Sequence, residues 1–270
     1  MEIKMKGIIN NILSVKHLWG GIIPLHLFGI YAFYDLLWGT APTWWWISFA
    51  LGYFLMNVLG IAIGYHRLFS HRGFEVSRPV KLFLLYCGLI AAQGSAIFWA
   101  GVHRGGHHKH SDTELDPHNP EDGFFHSLVL WQFRLSDGDV KVRPIVDLLR
   151  DDDVTFIHKH YSTILWIIHA IVALISINLW LYFLILPAFI NLYAYGLQTS
   201  VTHYSFMGYR NTTTKDKSVN APTNFPFTFG ECWHNNHHSD PKNPNYSRRW
   251  WELDPNYWII KLISRRPKTL

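Results

Sequence analysis

Nine histidines in four spaced sets carry the chemistry available to this sequence. His66-Arg-Leu-Phe-Ser-His71 is the first set and His103-Arg-Gly-Gly-His107-His108 the second. His203 stands alone, and His234-Asn-Asn-His237-His238 forms the last. Neutral imidazole suits iron, zinc and copper. One ion takes about four to six ligands, so nine imidazoles point to two ions held close together. On a helix, His234, His237 and His238 share one face at i, i+3 and i+4. His66 and His71 lie about 140° apart on a regular helix, which places them where a helix ends or bends. A histidine in isolation is ordinarily a packing or surface residue. His17, His26, His158, His160 and His169 are read that way, and His110, His118 and His126 as surface residues or supports of a ligand.

The elements that must position these sets are greasy. Hydrophobic residues make up 49% of the 270 positions and charged residues only 16%, against about 25% charged in a soluble domain. That excludes a disordered chain, and two cysteines, Cys87 and Cys232, exclude a disulfide scaffold. Apolar blocks occupy 20–38, 41–64, 82–101 and the double block 163–200, interrupted by Pro187; polar, histidine-rich chain lies between them. About 20 apolar residues cross a hydrocarbon core of about 30 Å, so four helices could span. The net charge of +5 carries no basic patch with interleaved aromatics, so no nucleic-acid partner is expected; it fits loops on a cytoplasmic membrane face. Lys4, Lys6 and Lys16 at one end, Arg265, Arg266 and Lys268 at the other, and no Lys or Arg in 39–43 put both termini in the cytosol. Basic residues flank the block 82–101 on both sides, and it contains Gln93 and Ser95. The expectation is that it does not cross. The second hairpin turns near 176–180 or near Pro187.

In these features the sequence resembles the membrane fatty-acyl desaturase family, of the stearoyl-CoA delta-9 type. The resemblance rests on three histidine boxes: His66–His71, His103–His108 followed by Lys109-His-Ser-Asp112 and Asp116-Pro-His118, and Gly230-Glu-Cys-Trp-His-Asn-Asn-His-His238. It runs from about Gly20 to Leu262. It implies an all-α integral membrane fold with four transmembrane helices in two hairpins, about 20–64 and 163–200. A cytosolic helical cap, about 65–162 and 203–262, would complete a single domain. It also implies a di-iron centre held by His66, His71, His103, His107, His108, His203, His234, His237 and His238. Gln93 and Trp99 match residues lining an acyl tunnel. The implied reaction is O2-dependent insertion of a cis double bond into an acyl-CoA or acyl-lipid chain. No flavin or haem segment is evident, so electrons are expected from a separate cytochrome b5 or ferredoxin. The basic surface at Arg248 and Arg249 could dock such a donor. The setting is endoplasmic reticulum or bacterial inner membrane.

The chain departs from the family pattern at three places. The middle box has one residue more than the usual His-x-x-His-His. On a regular helix His108 would swing away from His103 and His107, and a local bulge at Gly105-Gly106 is expected to bring all three to one face. Thr199 stands where the family commonly has an asparagine, and Gly196 where it has a tunnel tryptophan. Asp112, Asp116, Glu121, Asp122 and Glu231 are candidate partners for ligand N–H groups. Other readings are an alkyl-chain hydroxylase, which would yield an alcohol instead of an alkene, a metal transporter with histidine-rich loops, and a zinc-stabilised structural protein. Transporters place ligands near mid-bilayer, whereas the boxes lie beyond the apolar blocks. Structural zinc sites need about four ligands.

Overall fold

A computed structural model describes residues 16–39, 42–135 and 139–267. Lys4, Lys6 and Lys268, and the side chains of Lys16, His17 and Arg266, lie outside the described residues. Most of the described chain is helical, and its two strands, β1 (Phe74–Glu75) and β2 (Arg266–Pro267), form one short antiparallel pair.

Among the described residues three helices are long and apolar enough to cross a bilayer: α1 (Lys16–Trp38), α2 (Trp45–Ser70) and α7 (Ile177–Val201). α2 has 26 residues, against the about 20 that cross a hydrocarbon core. α2 therefore outruns the hydrocarbon and carries His66 past its edge; the helix extends six residues beyond the apolar block that announced it. α6 (Tyr161–Ile175) is apolar but has only 15 residues, about 22 Å. It follows α5 (Asp152–Lys159) after a break at His160. The turn between α6 and α7 falls at Ser176, whose backbone is extended and whose Oγ accepts from Leu179 N–H at 3.2 Å. Pro187 lies inside α7, just after a π-type stretch at Trp180–Ile185; such a widened turn is one way a helix accommodates the ring and missing N–H of proline.

The block 82–101 is two helices. α3 (Arg78–Ile90) and α4 (96–110) are separated by a loop with Ala92 at φ 58° and Gly94 at φ 87°. Ser95 Oγ caps α4 by accepting from Phe98 N–H at 3.2 Å. α3 has 13 residues and the apolar part of α4, Ala96–Val102, only seven, in line with the expectation that this block does not cross. α3 lies against α2. A Cβ on Gly60 would sit 2.5 Å from the Cys87 carbonyl, so glycine permits the close approach.

Buried apolar residues of α2, α3, α4 and α7 form the main core. Asn57 and Asn191, both fully buried, clamp α2 to α7 by a 2.9 Å hydrogen bond. The outer faces of α1, α2 and α6 leave Leu27, Ile30, Ile47, Leu51, Ile167 and Leu174 exposed, the surface that lipid would cover.

Candidate metal centre

α2, α4, the end of α7 and α8 (His234–Ser239) converge on one place and bring all nine histidines together in two adjoining groups. The first group is His66, His71, His103, His108 and His237; the second is His107, His203, His234 and His238. Within each group the ligand atoms lie within 4.8 Å of one another.

Local backbone geometry explains how. His66 and His71 are five residues apart, as are His103 and His108. The last part of α2, Phe54–Ser70, is π-type, and His71 N–H donates to the His66 carbonyl at 3.0 Å. α4 widens in the same way over His103–His107, and His108 N–H donates to the His103 carbonyl. An i→i+5 bond adds a residue to the turn, so residue i+5 stacks over residue i instead of swinging away. The bulge expected at Gly105-Gly106 is therefore present as a π-type turn. It refines the sequence expectation: His103 and His108 serve the first group, while His107 serves the second. The consecutive pairs His107/His108 and His237/His238 each send one ring to each group, which sets the two groups side by side.

The donor set fits metal ions. Nε2 separations are 2.9 Å for His71–His103, 3.0 Å for His66–His237, 2.8 Å for His237–His108 and 3.2 Å for His203–His234. Two imidazoles at right angles on one ion, each bonded at about 2.1 Å, would stand about 3.0 Å apart. Four rings have Nδ1 committed to a carboxylate. His107 donates to Asp116 at 2.8 Å, His203 to Asp112 at 3.0 Å, His238 to Asp216 at 2.9 Å, and His66 to Glu231. A ring whose Nδ1–H is spent in this way presents a bare lone pair at Nε2. His238 Nε2 is buried with no hydrogen-bond partner. Lone pairs facing each other across about 3 Å repel unless a cation lies between them.

Charge reinforces this. Burial, and then the neighbouring imidazoles, hold His71, His103, His108, His234 and His237 well below the usual histidine value, and His238 is pushed down to about 4. All six are neutral ligands at pH 7. His107 is the exception: burial opposes its protonation, but the Asp116 carboxylate raises it. Burial works against Asp116 and Asp216 too, yet adjoining imidazoles hold both well below the carboxylate range.

Of the five carboxylates expected to support ligands, Asp112, Asp116 and Glu231 do. Glu121 pairs instead with Lys217 at 2.7 Å, and Asp122 lies 3.7 Å from His126. Asp216 was missed, because Lys215-Asp-Lys217 reads as an ordinary surface charge run. Arg67 was missed as well. It is 1% exposed, and its Nε donates to Glu231 at 2.8 Å. Its Nη1 donates to Asp254 and to the Pro244 carbonyl, both at 2.8 Å. Its position between a ligand and an apolar run was the only available hint. The histidines read as packing behave so: His26 meets Tyr193, His158 meets Ser95 and His169 accepts from Trp180. His118 is buried, with its ring 4.6 Å from His107 and 5.0 Å from Trp131.

A cavity opens from this centre. His66, His103, His107 and His234 line one part, and Phe98, Val102, Trp131, Leu135 and Leu192 give it apolar walls. Gln93 and Trp99 both line it, as do Gly196 and Thr199. The Trp99 ring lies 4.7 Å from His103, and Gln93 Nε2 is buried without a partner. A Cβ on Gly196 would sit 1.9 Å from the Leu128 carbonyl; backbone of the 124–128 helix fills that position.

Comparison with known proteins matches these features. The fatty acid desaturase family model covers residues 25–267. The sn-1 stearoyl-lipid 9-desaturase of Anabaena variabilis is 33% identical over 78% of this chain and 78% of its own length. Delta-9 acyl-lipid desaturase 1 of Arabidopsis thaliana is 31% identical over 82% of this chain and 73% of its own. The acyl-CoA C20 delta5-desaturase of Anemone leveillei is 30% identical over 81% and 70%.

Proposed function

The chain belongs to the fatty acid desaturase family, an oxidoreductase family of the membrane, and from that premise we propose that it inserts a cis double bond at the delta-9 position of a saturated acyl chain, at a di-iron centre held by the nine histidines. The observation that carries the reading is the junction of two imidazole groups with a cavity walled by apolar side chains. Delta-9 is favoured over delta-5 by the names of the first relatives, and the acyl chain is carried as lipid or as coenzyme A ester.

Two iron ions held by these histidines would supply the oxidising power that side chains lack, the overall change consuming O2, two external electrons and two protons, removing two hydrogens from neighbouring methylenes and releasing two waters. The remaining work belongs to the chain. Phe98, Trp131 and Leu192 exclude water and hold the acyl chain bent against the histidines, so that one carbon pair meets the centre. Gln93 and Trp99 fix the chain where it passes His103. Asp112, Asp116, Asp216 and Glu231 keep the Nδ1 protons of four ligands and aim the opposite nitrogens inward.

The topology we assign has α1, α2, α6 and α7 as four spans, with the histidines and both termini on the cytosolic side. The short α6 is accommodated by local thinning of the bilayer. A cytochrome b5 or ferredoxin delivers electrons at the basic face around Arg248 and Arg249. Expression in a host followed by fatty-acid profiling tests the reading. A new cis-9 monoene is expected. An alcohol in its place, or an unchanged profile with iron bound and a donor present, would overturn it.

A further inference from the structure

α9 (Pro255–Ile263) has two apolar faces, and only one is used inside the protein. Its inner face, with Ile260 fully buried, packs on Val58, Leu59 and Ile63 of α2 and on Leu84 and Cys87 of α3. Its outer face carries Trp258, 50% exposed, and Leu262, 85% exposed, one turn apart, with Lys261 and Arg265 also exposed. The depth of this helix follows from α2. About 20 residues cross the hydrocarbon core; counted from Trp45, they end near Tyr65. The residues of α2 that hold α9 therefore lie just inside the hydrocarbon boundary, and α9 lies beside the span at that level. We propose that the Trp258–Leu262 face of α9 beds in the histidine-side leaflet of the bilayer, with Lys261 and Arg265 reaching anionic headgroups. A tryptophan and a leucine facing outward beside basic side chains are the composition of a helix lying in the interface, and the long cationic stems reach from apolar depth to the headgroups. The anchored helix also bears on the metal centre. Its N-cap, Asp254, holds Arg67, Arg67 holds Glu231, and Glu231 takes the Nδ1 proton of His66. The anchoring requires the bilayer and does not depend on the reaction proposed above.

Site-directed spin labelling tests it in the full-length protein, reconstituted in vesicles of phosphatidylcholine and phosphatidylglycerol. Cys87 and Cys232 are both buried, so an introduced cysteine is labelled selectively, and Leu262→Cys alters a side chain that packs on little. Thr213→Cys, exposed in the polar region, gives the aqueous reference; Leu27→Cys, exposed on α1, gives the lipid reference. The expected result is an oxygen-to-nickel-chelate accessibility ratio at residue 262 severalfold above that at 213 and close to that at 27. A ratio equal to that at 213 would place the face in water. Low access to both reagents would place it against another protein. Either result overturns the proposal.

Discussion

Replacing Asp216 by asparagine isolates one carboxylate–imidazole contact. Asp216 Oδ2 takes the Nδ1 proton of His238 at 2.9 Å, while Oδ1 accepts from Thr214 Oγ1 at 2.7 Å and Ser218 N–H at 3.0 Å. An asparagine has one acceptor oxygen. It can keep the turn or hold the imidazole, but not both, and it brings no charge. Losing such an outer contact typically costs about 10–100-fold in metal affinity, or about 1.4–2.7 kcal/mol. The loss should fall on one ion: His238 belongs with His107, His203 and His234, whereas the other five histidines form a separate group. Chelator competition followed by metal analysis should then show two phases. One ion should leave at about 10–100-fold lower chelator concentration and the other should be unmoved. Glu121→Gln, at a residue paired with Lys217 on the surface, is the control and should behave as the parent. Equal weakening of both ions, or none, would refute the division into two groups and the role given to Asp216.

Gly196→Ala must displace the Leu128 backbone, since the new Cβ would lie 1.9 Å from its carbonyl; a loss of about 1–3 kcal/mol should appear as a lower melting temperature, and an unchanged one would contradict the packing. Deleting Gly106 removes the extra residue of the π-type turn and leaves His103 and His108 only four residues apart, in i, i+4 alignment; metal content should survive, whereas deleting Ala100 from the regular turn before it rotates the ligands by about 100° and should abolish it. In metal-free protein, His238 is lowered from 6.5 to about 4, so the stability from its neutral form is full above 6.5. That stability is lost as pH falls towards 4, by about 3 kcal/mol for this residue. Denaturation of the metal-free protein followed from pH 7 to pH 5 should show a falling midpoint, and a flat profile would contradict the burial of these rings.

Histidine spacing and the apolar blocks made much of this legible in the sequence. Imidazoles at i, i+3 and i+4 need only a regular helix, so the His234–His238 set was readable at once. The i, i+5 sets were readable only as an irregularity. That both are solved by a widened turn, and that the turn divides His107 from His108 between two groups, depends on backbone hydrogen bonds that composition does not encode. That the block 82–101 does not cross was suggested by its charge pattern, because a crossing helix would have had to carry basic flanks at both ends; the loop at Ala92–Gly94 that divides it was not legible. Asp216, Arg67 and Asp254 were not legible. Each acts through a contact many residues away in sequence, and each looks like a common surface charge until the fold buries it.

The most direct test of the central claim is the metal content and coordination of the protein purified without oxygen. Two iron ions per chain with nitrogen ligands at about 2.1 Å are expected, falling to one when His203 and His234 are both replaced by alanine. A single ion in the parent protein, or ligation unaffected by that double replacement, would contradict the account.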